Sequence, residues 1–152
     1  MPDTGVFNSL TKQMALDSKI IQKYKGKTIP KLIKTAEIHF NRFIRLRDSE
    51  DGYGWCISCG KSLKVPAKTS HAGHYKEANK YKALKFHEDN VHLQCLKCNF
   101  YESANLLEYH KNLIKKIGAD KVIELDMLAA LSKRTAFKWD RFELIEIIEK
   151  YK

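Results

Sequence analysis

Cys56-Ile-Ser-Cys59-Gly60, then His71-Ala-Gly-His74-Tyr75, then Asn90-Val-His92-Leu-Gln-Cys95-Leu-Lys-Cys98-Asn99 are the segments that decide how this chain folds. The two CxxC pairs use all 4 cysteines of the 152-residue chain. Two knuckles offering four thiolates make a closed tetrahedral site that suits Zn²⁺. Zinc ribbons usually separate their pairs by about 15–20 residues. Here residues 60–94 intervene, so something is inserted between the knuckles, and it carries His71, His74, His87, Asn90 and His92. A purely structural ribbon has no need for that collection. No βαβ pattern surrounds either pair, which removes a thioredoxin-like reading.

Around this centre the pattern is helical. Residues 1–29 have weak periodicity and read as an N-terminal arm, partly helical at best. Pro30 suits the first turn of a helix running to about Arg47, with Leu32, Ile33, Ala36, Phe40, Phe43 and Ile44 as its apolar stripe. Lys34, Arg42, Arg45 and Arg47 lie on other faces, free to touch a phosphate backbone. Asp48–Gly54 reads as the turn that ends this helix. Gly60 suits a tight knuckle, and the insert, with Pro66, Gly73, Val65 and Thr69, favours strands and loops. A helix is expected from about Asn99 to Ile117 with Gly118 as its stop, another from Ala119 or Asp120 to about Leu131, and a last from Trp139 or Asp140 to Tyr151. Residues 30–152 therefore read as a single domain of α+β class: a small zinc-stapled core, an N-terminal helix, and two or three C-terminal helices.

Hydrophobic residues at 43% and charged residues at 30% describe an ordinary globular protein, not a disordered chain. No apolar run approaches the roughly 20 residues of a membrane span. Met-Pro-Asp-Thr-Gly at the start lacks the basic and apolar regions of a secretory signal. Cysteines so spaced then read as metal ligands in a reducing compartment, not as disulfides, and the expected location is the cytoplasm of a bacterial cell. The net charge is +10, unevenly spread: residues 1–47 hold 10 basic and 3 acidic groups, residues 60–87 hold 7 lysines and only Glu77, and residues 102–152 are nearly balanced. A polyanion is the expected partner, with lysines on phosphates. A solvated lysine-rich surface is the alternative on charge alone.

The chemistry these residues suit is phosphodiester hydrolysis. A base must activate water, a cation must steady the phosphorus and the leaving oxygen, and a dipole must orient the base. His74 on one strand is the expected base. Asn90, at the start of the next strand, pins the loop or the imidazole. Asn99, directly after the second knuckle, is the expected ligand of a divalent cation, Mg²⁺ or Mn²⁺; it could also serve only as a helix cap. Gly73 would let the backbone approach a substrate phosphate. Residues three apart on a strand face opposite ways, so His71 joins His74 only if Gly73 makes a bulge or turn. His87 and His92 read as support or phosphate contacts, and His39 and His110 as structural. Lys76, Lys80, Lys82 and Lys85, interleaved with Tyr75 and Tyr81, are the expected DNA-backbone contacts.

Phe43-Ile-Arg-Leu-Arg-Asp48, Cys56-Ile-Ser-Cys-Gly60, Ala72-Gly-His-Tyr75, Leu84-Lys-Phe86, Asn90-Val-His-Leu-Gln-Cys95 and Cys98-Asn99 together closely resemble the phage lambda NinG (Rap) recombination endonuclease family. The likeness continues through Ser103-Ala-Asn105-Leu, Tyr109, Leu113-Ile and Ile117-Gly118, covering about residues 37–125. It implies an HNH-like, ββα-metal nuclease, selective for branched DNA such as Holliday junctions, acting in phage or prophage recombination. Two departures stand out. The family tends to have Asp three residues before the base histidine, where this chain has His71, which permits metal ligation but changes the charge of the site. The lambda member also carries a cysteine-rich N-terminal segment that residues 1–29 lack. Paired symmetric nicking needs two sites, which a homodimer would supply. The rival reading is a non-catalytic, zinc-dependent DNA-binding accessory protein of recombination, and a third is RNA cleavage by an HNH-like toxin.

Overall fold

The computed structural model describes residues 17–152; the first 16 positions of the expected N-terminal arm lie outside it. The remainder of that arm is more ordered than its weak periodicity implies. Helix α1 spans Ser18–Tyr24, capped by the Asp17 carboxylate accepting from the Lys19 amide. Tyr24 is buried, and its hydroxyl donates to Glu149 at 2.5 Å.

Helix α2, Ile29–Arg47, begins as Pro30 predicts. Leu32, Ala36, Phe40 and Ile44 recur every four residues, so one face of α2 is fully buried. That face meets Leu144, Ile145 and Ile148 of helix α5, Arg141–Tyr151, and Val91 of the central hairpin. Phe40 stacks edge-on with Phe86 at 5.6 Å and with Tyr151 at 5.0 Å, closing this core. Truncating Phe40 to Ala costs about 3–5 kcal/mol, because α2, α5 and the Phe86 segment all converge on it.

Asp48–Gly54 is more than a stop. Strand β1, Ser49–Glu50, pairs with β2, Tyr53–Trp55, which in turn pairs with β3, Ser62–Lys64, all antiparallel. This small sheet carries the first knuckle between β2 and β3. The second sheet pairs β4, Ser70–His74, with β5, Val91–Cys95, in unbroken antiparallel register from Ser70↔Cys95 to His74↔Val91. Arg47 ties α2 to that hairpin, donating to the carbonyls of Glu88 at 2.9 Å and Val91 at 2.8 Å. Arg47 is therefore a structural bridge, not the free phosphate contact its position on the helix suggests. Its neighbour Asp48 is buried, yet Arg47, Lys116 and the Leu93 amide together hold its carboxyl down at about 2.

The helix expected from Asn99 is broken. A wide turn, Lys97–Tyr101, follows the second knuckle, and Ser103, Ala104 and Asn105 then take left-handed backbone angles before helix α3, Leu106–Ile117, begins. The Ala104 carbonyl accepts from Ser58 Oγ at 3.0 Å and Gln94 Nε2 at 2.6 Å, contacts a continuing helix would deny it. Helix α4 spans Ala119–Arg134, three residues beyond the expected end. A capping box at Asp140 and Glu143 starts α5 at Arg141. The class is α+β, with helices packed around two small sheets. No described helix is long and apolar enough to cross a membrane.

Candidate metal centre and adjoining cleft

The four cysteines converge. Cys56, Cys59, Cys95 and Cys98 place their sulfurs within 4.8 Å of one another. Four sulfurs at about 2.3 Å from one ion sit about 3.8 Å apart along the edges of a tetrahedron. Cys59 and Cys95 are separated by 3.8 Å, a distance that fits zinc and is far too long for a disulfide of about 2.05 Å. Gly60 at φ +72° turns the first knuckle, its amide closing on the Cys56 carbonyl at 2.9 Å. The Cys98 amide and the Asn105 side chain approach Cys95 and Cys98 sulfur at 3.4 and 3.7 Å, donors that stabilise thiolates. The donor set fits one structural Zn²⁺.

The hairpin between the knuckles carries the other polar residues. His74 Nε2 lies 2.9 Å from the Lys85 carbonyl. A carbonyl only accepts, so Nε2 bears the proton and Nδ1 is left as an unprotonated base. Burial holds the His74 pKa below its ordinary value, keeping the ring neutral. Asn90 is fully buried and pins the loop, not the imidazole. Its Oδ1 accepts from the Lys76 amide at 2.8 Å, while Nδ2 donates to the carbonyls of Lys76 at 3.0 Å and Leu84 at 3.1 Å.

Gly73 makes no bulge, and its missing side chain serves Gln94 instead of a phosphate. A Cβ there would fall 2.0 Å from Gln94 Oε1. His71 and His74 consequently leave opposite faces of β4. His71 nonetheless reaches Asn99, its Nδ1 lying 3.0 Å from the Asn99 side-chain amide while Nε2 donates to the Lys68 carbonyl at 3.1 Å. Asn99 sits within the turn after the knuckle, so it is not a helix cap. Asn99 and His74 both line a cleft of about 970 Å³, together with Tyr75, Lys76, Lys80, Leu107 and His110.

The basic residues divide. Lys80 and Lys82 are exposed, Lys80 lying over the Tyr81 ring at 5.7 Å. Lys76 pairs with Asp126 at 2.6 Å, and Lys85 pairs with Glu37 of α2. His92 is a support residue. It is buried against Tyr109, and burial lowers its pKa to about 3, so no phosphate contact is open to it. His110, read from sequence as structural, hydrogen-bonds the Tyr75 hydroxyl at 2.7 Å and faces the cleft. Its position one turn after Leu106 on an amphipathic helix gave no hint of this, since only the break at Ser103–Asn105 aims that face at the hairpin.

The chain is similar in sequence to known proteins. Residues 9–152 match the model of the family described as NinG, Bacteriophage Lambda NinG protein. A "Protein ninG" of Escherichia phage 933W is 36% identical over 119 residues, covering 78% of this chain and 54% of that protein. The "Protein ninG" of Escherichia phage lambda is 39% identical over 94 residues, covering 62% of this chain and 43% of that protein. The chain thus spans about half the length of the curated relatives it matches. No solved structure matches it. With a family match running through both knuckles, the hairpin and every C-terminal helix, this chain belongs to the phage NinG family.

Proposed function

We propose that this protein is a divalent-metal-dependent DNA endonuclease of the HNH-like, ββα-metal kind, acting on branched recombination intermediates such as Holliday junctions. The observation that carries the reading is the locked tautomer of His74: Nε2–H is held by the Lys85 carbonyl, and Nδ1 is left free at the edge of a cleft that also holds Asn99. A general base needs that arrangement, a fixed ring with one lone pair available and a pKa low enough to stay unprotonated near neutrality.

His74 takes the proton from a water positioned against the phosphorus. Asn90 holds the 76–84 loop, and through it the segment bearing the Lys85 carbonyl. Asn99 and His71 would hold the catalytic Mg²⁺ or Mn²⁺: the amide needs only to turn over to present Oδ1 beside the His71 Nδ1 lone pair. When bound, such a cation stabilises charge on the non-bridging and leaving oxygens. Lys80 and Lys82 are free to contact the DNA backbone, with Lys76 and Tyr75 at the cleft wall and Lys85 outside it, paired with Glu37. The four-cysteine centre holds Zn²⁺ and fixes Asn99, one residue beyond Cys98, against the hairpin.

The test is cleavage of a labelled four-way junction and of linear duplex, with Mg²⁺, Mn²⁺ or no added divalent metal, by zinc-loaded wild type and by His74→Ala. Metal-dependent junction cuts that fall about 10²–10⁴-fold in the variant, with junction binding retained, support the assignment. Wild type that binds the junction and leaves it intact in every metal overturns it in favour of the DNA-binding accessory role.

A further inference from the structure

Phe100 and Tyr101 are the two most exposed large apolar side chains among the described residues, at 72% and 73%. Single exposed apolar residues are ordinary; an adjacent aromatic pair beside a candidate site is not. Their rings meet edge-to-face with centroids 5.1 Å apart, which leaves the outer ring faces free. The backbone beneath them is fixed at both ends. Cys98 anchors one end in the four-sulfur cluster, and the left-handed run Ser103–Asn105, held by the Ala104 carbonyl, sets the other. That break takes the pair off the apolar stripe of α3 and sets it on its own turn, directly after Asn99.

Tyr101 lines a second cavity, of about 630 Å³, whose wall includes Cys59, Cys95 and Cys98 of the four-sulfur centre; Lys61, Lys64 and Lys97 line it too, with Glu102 as its single carboxylate. Glu102 pairs with Lys97 at 3.3 Å, while Lys61 and Lys64 enter no ion pair among the described residues. An aromatic face flanked by free lysines suits a nucleotide, base on ring and phosphate on ammonium.

We propose that Phe100 and Tyr101 form a stacking wedge that receives an unstacked base at the branch point of DNA, and that this pair supplies the preference for branched over linear substrate. The proposal rests on the reading of branched DNA as ligand. An apolar wedge entering a continuous duplex must first unstack a base step. At the exchange point of a branch a base step opens at lower cost than in continuous duplex, so the ring–base contact favours branched DNA. Lys61 and Lys64 steady the adjoining phosphates without regard to structure or sequence.

The experiment measures the Kd of zinc-loaded protein for a four-way junction carrying 2-aminopurine at the branch, and for linear duplex of equal length. Wild type, Phe100→Ala/Tyr101→Ala and Phe100→Trp/Tyr101→Trp are compared. The alanine pair should weaken junction binding about 10–100-fold, equivalent to about 1–3 kcal/mol at about 1.4 kcal/mol per decade. Duplex affinity should change less than about 2-fold, the 2-aminopurine response should be lost, and the tryptophan pair should restore both. Equal losses on both DNAs, unchanged selectivity, or a change only in oligomeric state each overturn the wedge, the last by assigning the pair to a protein contact. Cleavage by the alanine pair with junction preference intact sinks the wedge alone. Selective binding by a wild type that never cuts sinks the nuclease reading alone.

Discussion

Replacing Asn90 with Ala separates a structural clamp from a surface polar residue, and its cost follows from the contacts it removes. Three hydrogen bonds of 2.8, 3.0 and 3.1 Å disappear, and the Lys76 amide with the carbonyls of Lys76 and Leu84 loses its partner. Each net hydrogen bond is worth about 1 kcal/mol, and an orphaned buried group costs about 1–3 kcal/mol. Asn90 itself is 0% exposed, but Lys76 borders the cleft, so water can recover part of the loss on that side. A destabilisation of about 2–4 kcal/mol results. For a domain of this size, at about 3 °C per kcal/mol, Tm falls by roughly 6–12 °C. The assay is thermal denaturation of zinc-loaded wild type and Asn90→Ala, with exposed Asn79→Ala as control and zinc content measured in each. Zinc should stay at one per chain, because the cysteines lie at the other end of the hairpin. The 76–84 loop should loosen, and hydrogen exchange at the Lys76 amide should accelerate. A Tm change below about 1 °C, or an unprotected Lys76 amide in wild type, would refute the clamp.

Gly73→Ala forces a methyl group against Gln94, whose own Nε2 is tied to Ser58 and Ala104, so overpacking should cost about 1–3 kcal/mol in a denaturant titration; a neutral result would mean Gln94 is free to swing away. His74 and His92 have folded pKa values below the unfolded value of about 6.5, so the unfolded state binds more protons as pH falls. Their stabilisation is complete above about pH 6.5 and declines below it, His92 alone losing about 1 kcal/mol between pH 7 and 5.5 with zinc saturating and His74 adding in the same direction; a flat denaturant midpoint over that window contradicts it. His71→Asp exchanges an imidazole for a carboxylate beside Asn99 and should shift metal use toward Mg²⁺, since oxygen donors suit Mg²⁺ and imidazole does not; unchanged relative activity with Mg²⁺ and Mn²⁺ would remove His71 from the metal site. Stripping zinc with a chelator should unfold the knuckles and lower Tm by more than 10 °C, at about 3 °C per kcal/mol, given that structural zinc contributes several kcal/mol of folding energy; an unchanged melting curve would show the cysteines hold no metal.

The cysteine spacing made the metal centre legible, because CxxC knuckles have a local geometry that survives any insertion between them. Helices α2, α4 and α5 were equally legible, since Leu32, Ala36, Phe40 and Ile44 repeat at a period only a helix can bury. Three features were hidden. Helix α1 depends on Tyr24 finding Glu149 across 125 positions, a contact no local pattern encodes. The break at Ser103–Asn105 is set by Ser58, 46 residues away, and by Gln94 on the preceding strand, while the helical spacing of Leu106, Leu107 and Tyr109 begins only after it. The approach of His71 to Asn99 is a contact that strand alternation does not address: His71 faces away from His74 as alternation requires, and Asn99 meets it from the wide turn that follows the zinc end of the hairpin.

The hairpin is held by different chemistry at its two ends, and the division has a functional consequence. At the Ser70↔Cys95 end the four-sulfur centre fixes the turn that carries Asn99, with His71 beside it. At the His74↔Val91 end the Tyr75 amide on the Asn90 carbonyl, and the Asn90 side chain on the loop, fix the partner of the base. Loss of zinc therefore displaces Asn99 while leaving His74 on its carbonyl, and loss of Asn90 does the reverse. On the proposed reading, cation binding and proton transfer would be supported by separate devices joined through the five residue pairs of one short sheet. Tyr109 of α3 joins the hairpin between the two ends, its hydroxyl donating to the Gly73 carbonyl at 2.8 Å, one residue from His74. A perturbation there should disturb both ends at once, whereas perturbations at either end should remain local.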